Sequence, residues 1–194
     1  MSADDQFDEV VKTQRLELVL MTLTFMEALQ RRDLEAASGE LGASVPVWLA
    51  DDMQDFLEYR LAQVREDPGV RGWLGRSMVV TEADGSRHVV GSIGFHGPPE
   101  EGKLEIGYRV DPRYRNRGFA RESASAMYTW AHDKHGITTF VASVSPDNIA
   151  SLNLIEEYGY VLLGEQIDDI DGLELVFETH WPFPTSDGHA QSDP

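Results

Sequence analysis

The sequence contains no cysteine, which removes disulfide frameworks, thiolate metal sites and cysteine nucleophiles together. Positive charge is scarce: 16 lysines and arginines stand against 34 aspartates and glutamates, a formal net charge of −18. Such a field repels a phosphate backbone and argues against nucleic-acid binding. It favours a cationic partner, an amine or a basic peptide, although solubility or a salty cytoplasm accounts for it equally well. No apolar run approaches membrane-spanning length, and the opening MSADDQFDEV is acidic where a secretory leader is basic and then apolar. The expectation is a cytoplasmic protein without a membrane partner. At 194 residues the chain suits one domain with a substantial core. We expect an acidic, flexible segment over 1–12, the domain over 13–181 and a disordered tail over 182–194.

What the chain does have is a concentration of arginine. Arg109, Arg113, Arg115, Arg117 and Arg121 fall within thirteen residues, in the stretch Leu104 to Met127. That stretch begins as a β-branched and aromatic strand, turns at Asp111-Pro112, reaches Gly118 and continues as a small-residue helix. A strand, a glycine loop and a helix in that order make an anion site, because the unpaired N–H groups and the macrodipole of a helix start both favour negative charge. Gly118 would let the backbone approach a phosphate closely. The alternative is a solvated basic loop balancing acidic neighbours. Neither Gly-Lys-Ser/Thr nor Gly-x-Gly-x-x-Gly occurs, so this is not a Walker or dinucleotide loop.

The segment Arg115-Asn116-Arg117-Gly118-Phe119-Ala120 resembles the Gln/Arg-x-x-Gly-x-Gly/Ala signature of the GNAT acetyltransferase superfamily, which cradles the pyrophosphate of acetyl-CoA. Further on, Asn148-Ile149-Ala150-Ser151 followed by Tyr158-Gly159-Tyr160 resembles the family's second signature, Asn-x-x-Ser, a short helix and Gly-Phe/Tyr. With Thr13-Gln14-Arg15-Leu16-Glu17-Leu18, the pattern is most similar to the Rim-type branch, which includes ribosomal-protein N-terminal acetyltransferases. The resemblance covers roughly residues 13 to 180. It implies an α/β fold with a mostly antiparallel, splayed central sheet and helices on both faces. It also implies acetyl-CoA as co-substrate, no metal, and a homodimer as an option.

Residues 13–20 alternate as a half-buried strand. Thr22 or Thr24 then caps a helix carrying Phe25, Met26, Leu29 and Leu34. A second helix is expected from about Val47 to Glu66, ended by Pro68. In the family this region walls the acceptor site, so Trp48 and Phe56 line it or pack into the core. Trp73–Thr81 and His88–Phe95 read as a hairpin turning at Asp84-Gly85. After the third strand, Leu104 to Val110, come a helix over 118–135, a strand over 138–144, a short helix over 148–157 and two closing strands.

Acyl transfer from a thioester to an amine needs a neutral amine, a stabilised oxyanion and a protonated leaving thiolate. Resemblance implies that the strand ending at Val110 parts from the strand at Ala142 to Val144, so that backbone groups around Tyr108 and Val110 grip the pantetheine arm. Glu105 on that strand is the candidate base, since partial burial would raise its basicity; the alternative is an outward-facing strand carboxylate. His96 is its rival, because imidazole titrates near neutrality. Many family members carry a tyrosine acid seven residues after the asparagine; here Ile155 stands there. As in the Rim-type branch, Ser151 becomes the candidate acid, or it is a plain helix-surface serine. Asn148 would hold CoA through its amide and can also cap its helix. Together these residues imply direct acetyl transfer to a primary amine, a protein N-terminus or a small cationic amine. The alternatives are a non-catalytic acyl-CoA sensor of the same fold and a generic anion-binding scaffold.

Overall fold

Alternation of Leu16, Leu18 and Leu20 with Glu17 and Val19 gives the first substantial strand one buried face. A computed structural model describes residues 10–168 and 172–184. They fall into two compact units. The first runs to Pro98 and includes Tyr108–Thr129; the second comprises Pro99–Gly107 and the chain from Trp130.

In the first unit, β1 (Val11–Lys12) pairs antiparallel with β2 (Leu16–Leu20), β2 with β3 (Arg76–Thr81), and β3 with β4 (Arg87–Phe95). Ordered pairing therefore begins at Val11, inside the segment expected to be flexible; residues 1–9 of that segment lie outside the described residues. The β3–β4 turn closes at Asp84-Gly85, with Gly85 at φ 84° and Asp84 accepting from the Ser86 N–H. Trp73, expected in the strand, instead ends a 3-10 turn over Pro68–Trp73.

The helical region divides more finely than periodicity alone predicts. Thr22 caps α1 (Leu23–Gln30), and Asp33 caps a separate helix, α2 (Leu34–Leu41), so Leu34 does not belong to the first helix. The expected helix over Val47–Glu66 is broken at Met53 into α3 (Val47–Asp52) and α4 (Gln54–Glu66). The apolar spacing survives these breaks, which is why the pattern reads through them. Phe25, Leu29, Leu49, Leu57 and Leu61 all meet in one buried cluster. Each such side chain stabilises the fold by about 1.5–3 kcal/mol through burial. Gly91 and Gly94 permit close backbone contacts: a Cβ there would lie 2.5 Å from the Arg109 and Leu74 carbonyl oxygens respectively.

β5 (Lys103–Val110) starts in the second unit, where Lys103–Glu105 runs parallel to Thr139–Val141 of β6 (Thr139–Val144). The paired register stops at Glu105 and Val141, although both strands continue. β6 pairs antiparallel with β8 (Gly172–His180), and β8 with β7 (Val161–Asp168). The expected turn residue Asp171 lies outside the described residues. The chain is thus mixed α/β with mostly antiparallel strand pairing. α5 (Phe119–His135) precedes β6, and α6 (Ile149–Glu157) follows it. Ile155 packs with Ala142 and Val144. Within the segment expected to be a disordered tail, Phe183 packs on Phe140, Tyr158 and Trp181 at centroid distances of 6.0, 5.0 and 5.1 Å. Residues 185–194 lie outside the described residues. No described helix is long and apolar enough to cross a membrane.

Candidate active site

The phosphate-loop candidate is shaped by a buried carboxylate. Asp111, 1% exposed, ends the run of β5, and its backbone N–H donates to the Val90 carbonyl. Its side chain accepts from the Arg113 N–H at 2.8 Å, from Arg113 Nη2 at 2.7 Å and from Trp48 Nε1 at 2.6 Å. The Arg113 guanidinium holds the Asp111 carboxyl below the usual carboxylate range; burial opposes this, and the Arg113 backbone N–H and Trp48 assist it. One 3-10 turn over Pro112–Tyr114 follows, then an exposed loop in which Asn116 has φ 59° and Gly118 φ 80°. The first helical bond of α5 runs from the Glu122 N–H to the Gly118 carbonyl. The N–H groups just before Glu122 therefore belong to the turn that has no intrahelical acceptor.

Four of the five arginines divide into two pairs. Arg109 pairs with Asp52 at 3.4 Å and Arg113 with Asp111, as the charge-balancing alternative requires of those two. Arg115 and Arg117 are exposed on the loop: Arg115 Nε donates to the Val110 carbonyl at 3.1 Å, and the Arg117 guanidinium sits 4.9 Å from the Tyr114 ring centroid. Phe119 is buried beneath the loop, and the Ala120 carbonyl accepts from Ser123 Oγ at 3.1 Å.

In the second unit Glu105 is half-buried and accepts a hydrogen bond from Ser143 Oγ at 2.6 Å. Strand alternation explains the contact: Glu105 pairs with Val141, and Ser143 lies two residues further along the same face. Gln166 Nε2 reaches Ser143 Oγ at 3.2 Å and Glu174 at 3.0 Å, extending a polar row. Asn148 caps α6, its Oδ1 accepting from the Ser151 N–H at 3.2 Å. Tyr158 ends that helix, and its carbonyl accepts from Thr179 Oγ1.

The profile of the Acetyltransferase (GNAT) domain matches residues 15–161. The chain belongs to the GNAT acetyltransferase family. Among curated relatives, the uncharacterized N-acetyltransferase YjdG of Bacillus subtilis is 26% identical over 155 residues, covering 79% of this chain and 90% of that protein. Solved structures agree on the fold. RimL, named a ribosomal L7/L12 alpha-N-protein acetyltransferase, superposes with TM-score 0.59 at 16% identity over 89% of this chain and 94% of RimL. The Microcin C7 self immunity acetyltransferase MccE, solved with acetyl-CoA and AMP, gives TM-score 0.58 at 15% identity over 86% and 93%.

The GNAT family uses acetyl-CoA as acetyl donor. The loop fits a diphosphate on its own geometry: two left-handed residues, Asn116 and Gly118, turn the backbone into a helix start beside exposed Arg115 and Arg117. A side chain at 118 would sit in a strained conformation and 3.4 Å from Arg15 Nη2. Within the first unit the structure groups Arg115 to Ala120, with Val110 tied to them through Arg115. Tyr108 is half-buried on β5. His96 is exposed at the end of β4, where its carbonyl accepts from Arg60 Nη1. Trp48 faces Asp111, and Phe56 packs against the helical core with Arg60 4.9 Å from its ring.

Three residues escaped the sequence reading. Arg15 appeared only as part of a motif, yet it touches the loop. Asp111 appeared only as a turn residue. Ser143 was no candidate, although its spacing from Val141 was there to be read.

Proposed function

We propose that this GNAT acetyltransferase moves the acetyl group directly to a primary amine, either a protein N-terminus or a small cationic amine, without a covalent enzyme intermediate. The observation that carries the reading is the loop from Arg115 to Ala120, whose left-handed Asn116 and Gly118 precede the open first turn of α5. Its backbone N–H groups and the Arg115 and Arg117 side chains would hold the pyrophosphate. Asn148 would offer its amide nitrogen to the pantetheine amides, its oxygen being committed to the helix cap.

When bound, acetyl-CoA supplies a thioester whose acetyl carbon is open to attack. Glu105 would take a proton from the incoming ammonium or amine, directly or through water, while the Ser143 hydroxyl fixes one of its oxygens. Ser151, in the first turn of α6, would return a proton to the departing sulfur. The new bond is carbon–nitrogen and the broken one carbon–sulfur; from the neutral amine one proton leaves nitrogen and one reaches sulfur, and an acceptor arriving as ammonium first gives up one further proton to solvent. A net charge of −18 supports a cationic acceptor by steering it to the protein.

The test combines calorimetry of acetyl-CoA with release of free thiol across a panel of amines, on the wild type and on Arg115→Glu/Gly118→Asp. Tight binding lost in the double variant, with thiol release for particular amines, is the expected result. Binding without thiol release from any amine would return the reading to an acyl-CoA sensor. No binding at all would remove the loop from consideration.

A further inference from the structure

A carboxylate stands in the wrong place for an anion site. Glu122 lies in the first turn of α5, where its charge offsets the positive end of the helix that a pyrophosphate would use. The residues at the far end of the unit's sequence answer it. Glu122 accepts from Thr13 Oγ1 at 2.5 Å, from the Arg15 backbone N–H at 2.8 Å and from Arg15 Nε and Nη2, both at 2.6 Å. The guanidinium turns its remaining nitrogen to the loop itself, Nη1 reaching the Arg117 carbonyl at 2.9 Å, and it lies 4.6 Å from the Phe119 ring centroid. In a trans peptide the C=O and N–H point to opposite sides, so holding the Arg117 oxygen on Arg15 turns the Gly118 N–H away from it.

We propose that Arg15 is a positioning residue for the diphosphate of acetyl-CoA: it cancels the Glu122 charge at the helix start and sets the Arg117–Gly118 peptide so that its N–H faces the ligand. The inference rests on the reading of Arg115 to Ala120 as the pyrophosphate cradle. The side chains agree with a fixed pair, since Glu122 is 15% exposed and Arg15 Nε and Nη2 converge on its Oε2 while Thr13 and the Arg15 backbone N–H hold Oε1. Burial pushes the Glu122 carboxyl up, and the bonds from Thr13 and Arg15 more than reverse this, so the carboxylate stays charged and its neutralisation must come from Arg15. A mutual brace with no electrostatic part would look the same in a static view. It differs in what happens when each partner is removed alone.

Acetyl-CoA affinity is measured by calorimetry on Arg15→Ala, Glu122→Gln and the double variant, with thermal unfolding as a check of the fold. Arg15→Ala, which leaves the carboxylate bare, is expected to weaken binding about tenfold, equivalent to about 1.4 kcal/mol. Glu122→Gln alone should bind within about twofold of wild type or more tightly, and the double variant should recover to within about threefold. S-acetylpantetheine, which carries no phosphate, should be turned over equally by all of them. Should Arg15→Ala fail to fold, Arg15→Lys keeps the charge without the fork and is expected to retain affinity within about threefold. Glu122→Gln weakening acetyl-CoA as much as Arg15→Ala would show a plain brace and overturn the proposal, as would an unchanged Arg15→Ala. Gly118→Asp separates the two levels: if it leaves binding intact the cradle reading fails, whereas loss of binding there with no effect at Arg15 sinks only the role of Arg15.

Discussion

Replacing Trp48 by phenylalanine removes one donor from a carboxylate that water scarcely reaches. Trp48 Nε1 sits 2.6 Å from Asp111 Oδ2, and Arg113 supplies the other side-chain contacts. A hydrogen bond to a charged group contributes about 1.5–3 kcal/mol, and because Arg113 and its backbone N–H remain, the lower end applies: about 1.5 kcal/mol. For a chain of this size that is a fall in Tm of about 3–6 °C. Tryptophan to phenylalanine also loses volume, so the measurement is a double-mutant cycle with Asp111→Asn, followed by urea unfolding under far-ultraviolet circular dichroism. The folded Asp111 titrates below its unfolded value, so the contribution is complete above the ordinary aspartate range and is lost as pH falls through the folded value. The coupling should therefore be present at neutral pH and vanish in strong acid. A coupling below about 0.5 kcal/mol at pH 7, within the usual additivity error, would refute the claim that Trp48 anchors α3 to the start of the loop.

Acid should unfold the protein for a wider set of reasons. Burial pushes the carboxyls of Glu17 and Glu122 up, but Lys12 and Arg87 around the first, and Thr13 and Arg15 around the second, hold both below the ordinary range. Their stability is present above the unfolded pKa and lost as pH drops through the folded one, so urea midpoints should fall steeply below about pH 4, and a flat profile down to pH 3 would contradict it. Gly39→Ala, inside α2 with nothing within 4 Å of the new carbon, should stabilise by about 0.5–1 kcal/mol. Gly94→Ala, whose new carbon would lie 2.5 Å from the Leu74 carbonyl, should destabilise by about 1–3 kcal/mol or more, and the same unfolding assay must give the two opposite signs. Glu105→Gln is expected to lower kcat by about a hundredfold, and Ser143→Ala by about threefold to tenfold, each with acetyl-CoA affinity retained. A Glu105→Gln enzyme keeping half of its rate would remove Glu105 as base.

The elements that could be read from sequence are those whose signal is local. The alternating strand, the Asp84-Gly85 turn and the Asn148 cap each involve neighbours within a few residues, and each appears in the structure, although the strand expected over 13–20 begins only at Leu16. Helix breaks were harder. The break at Met53 leaves the apolar spacing intact, since Leu49, Met53, Leu57 and Leu61 all stay in one core, so a periodic pattern has no reason to register it. The loop was legible because glycine and arginine are concentrated there. Its supports were not, because Arg15 meets Glu122 across 107 residues and Trp48 meets Asp111 across 63. Nothing in the local composition of either pair marks the partner. Ser143 failed for a different reason: its register against Glu105 depends on a parallel pairing only three residues long.

That short parallel pairing reaches further than its own bonds. Strands running the same way cannot be joined by a tight turn; the chain has to travel back the full length of the strand before it can begin the next. Here the return is the loop after Val110 followed by the seventeen-residue α5. A strand–helix–strand passage of this kind puts the amino end of a helix just beyond the carboxyl end of a strand, whatever the side chains are. The capacity to attract an anion is thus written into the route of the chain, and the arginines and Gly118 refine a position that topology had already supplied.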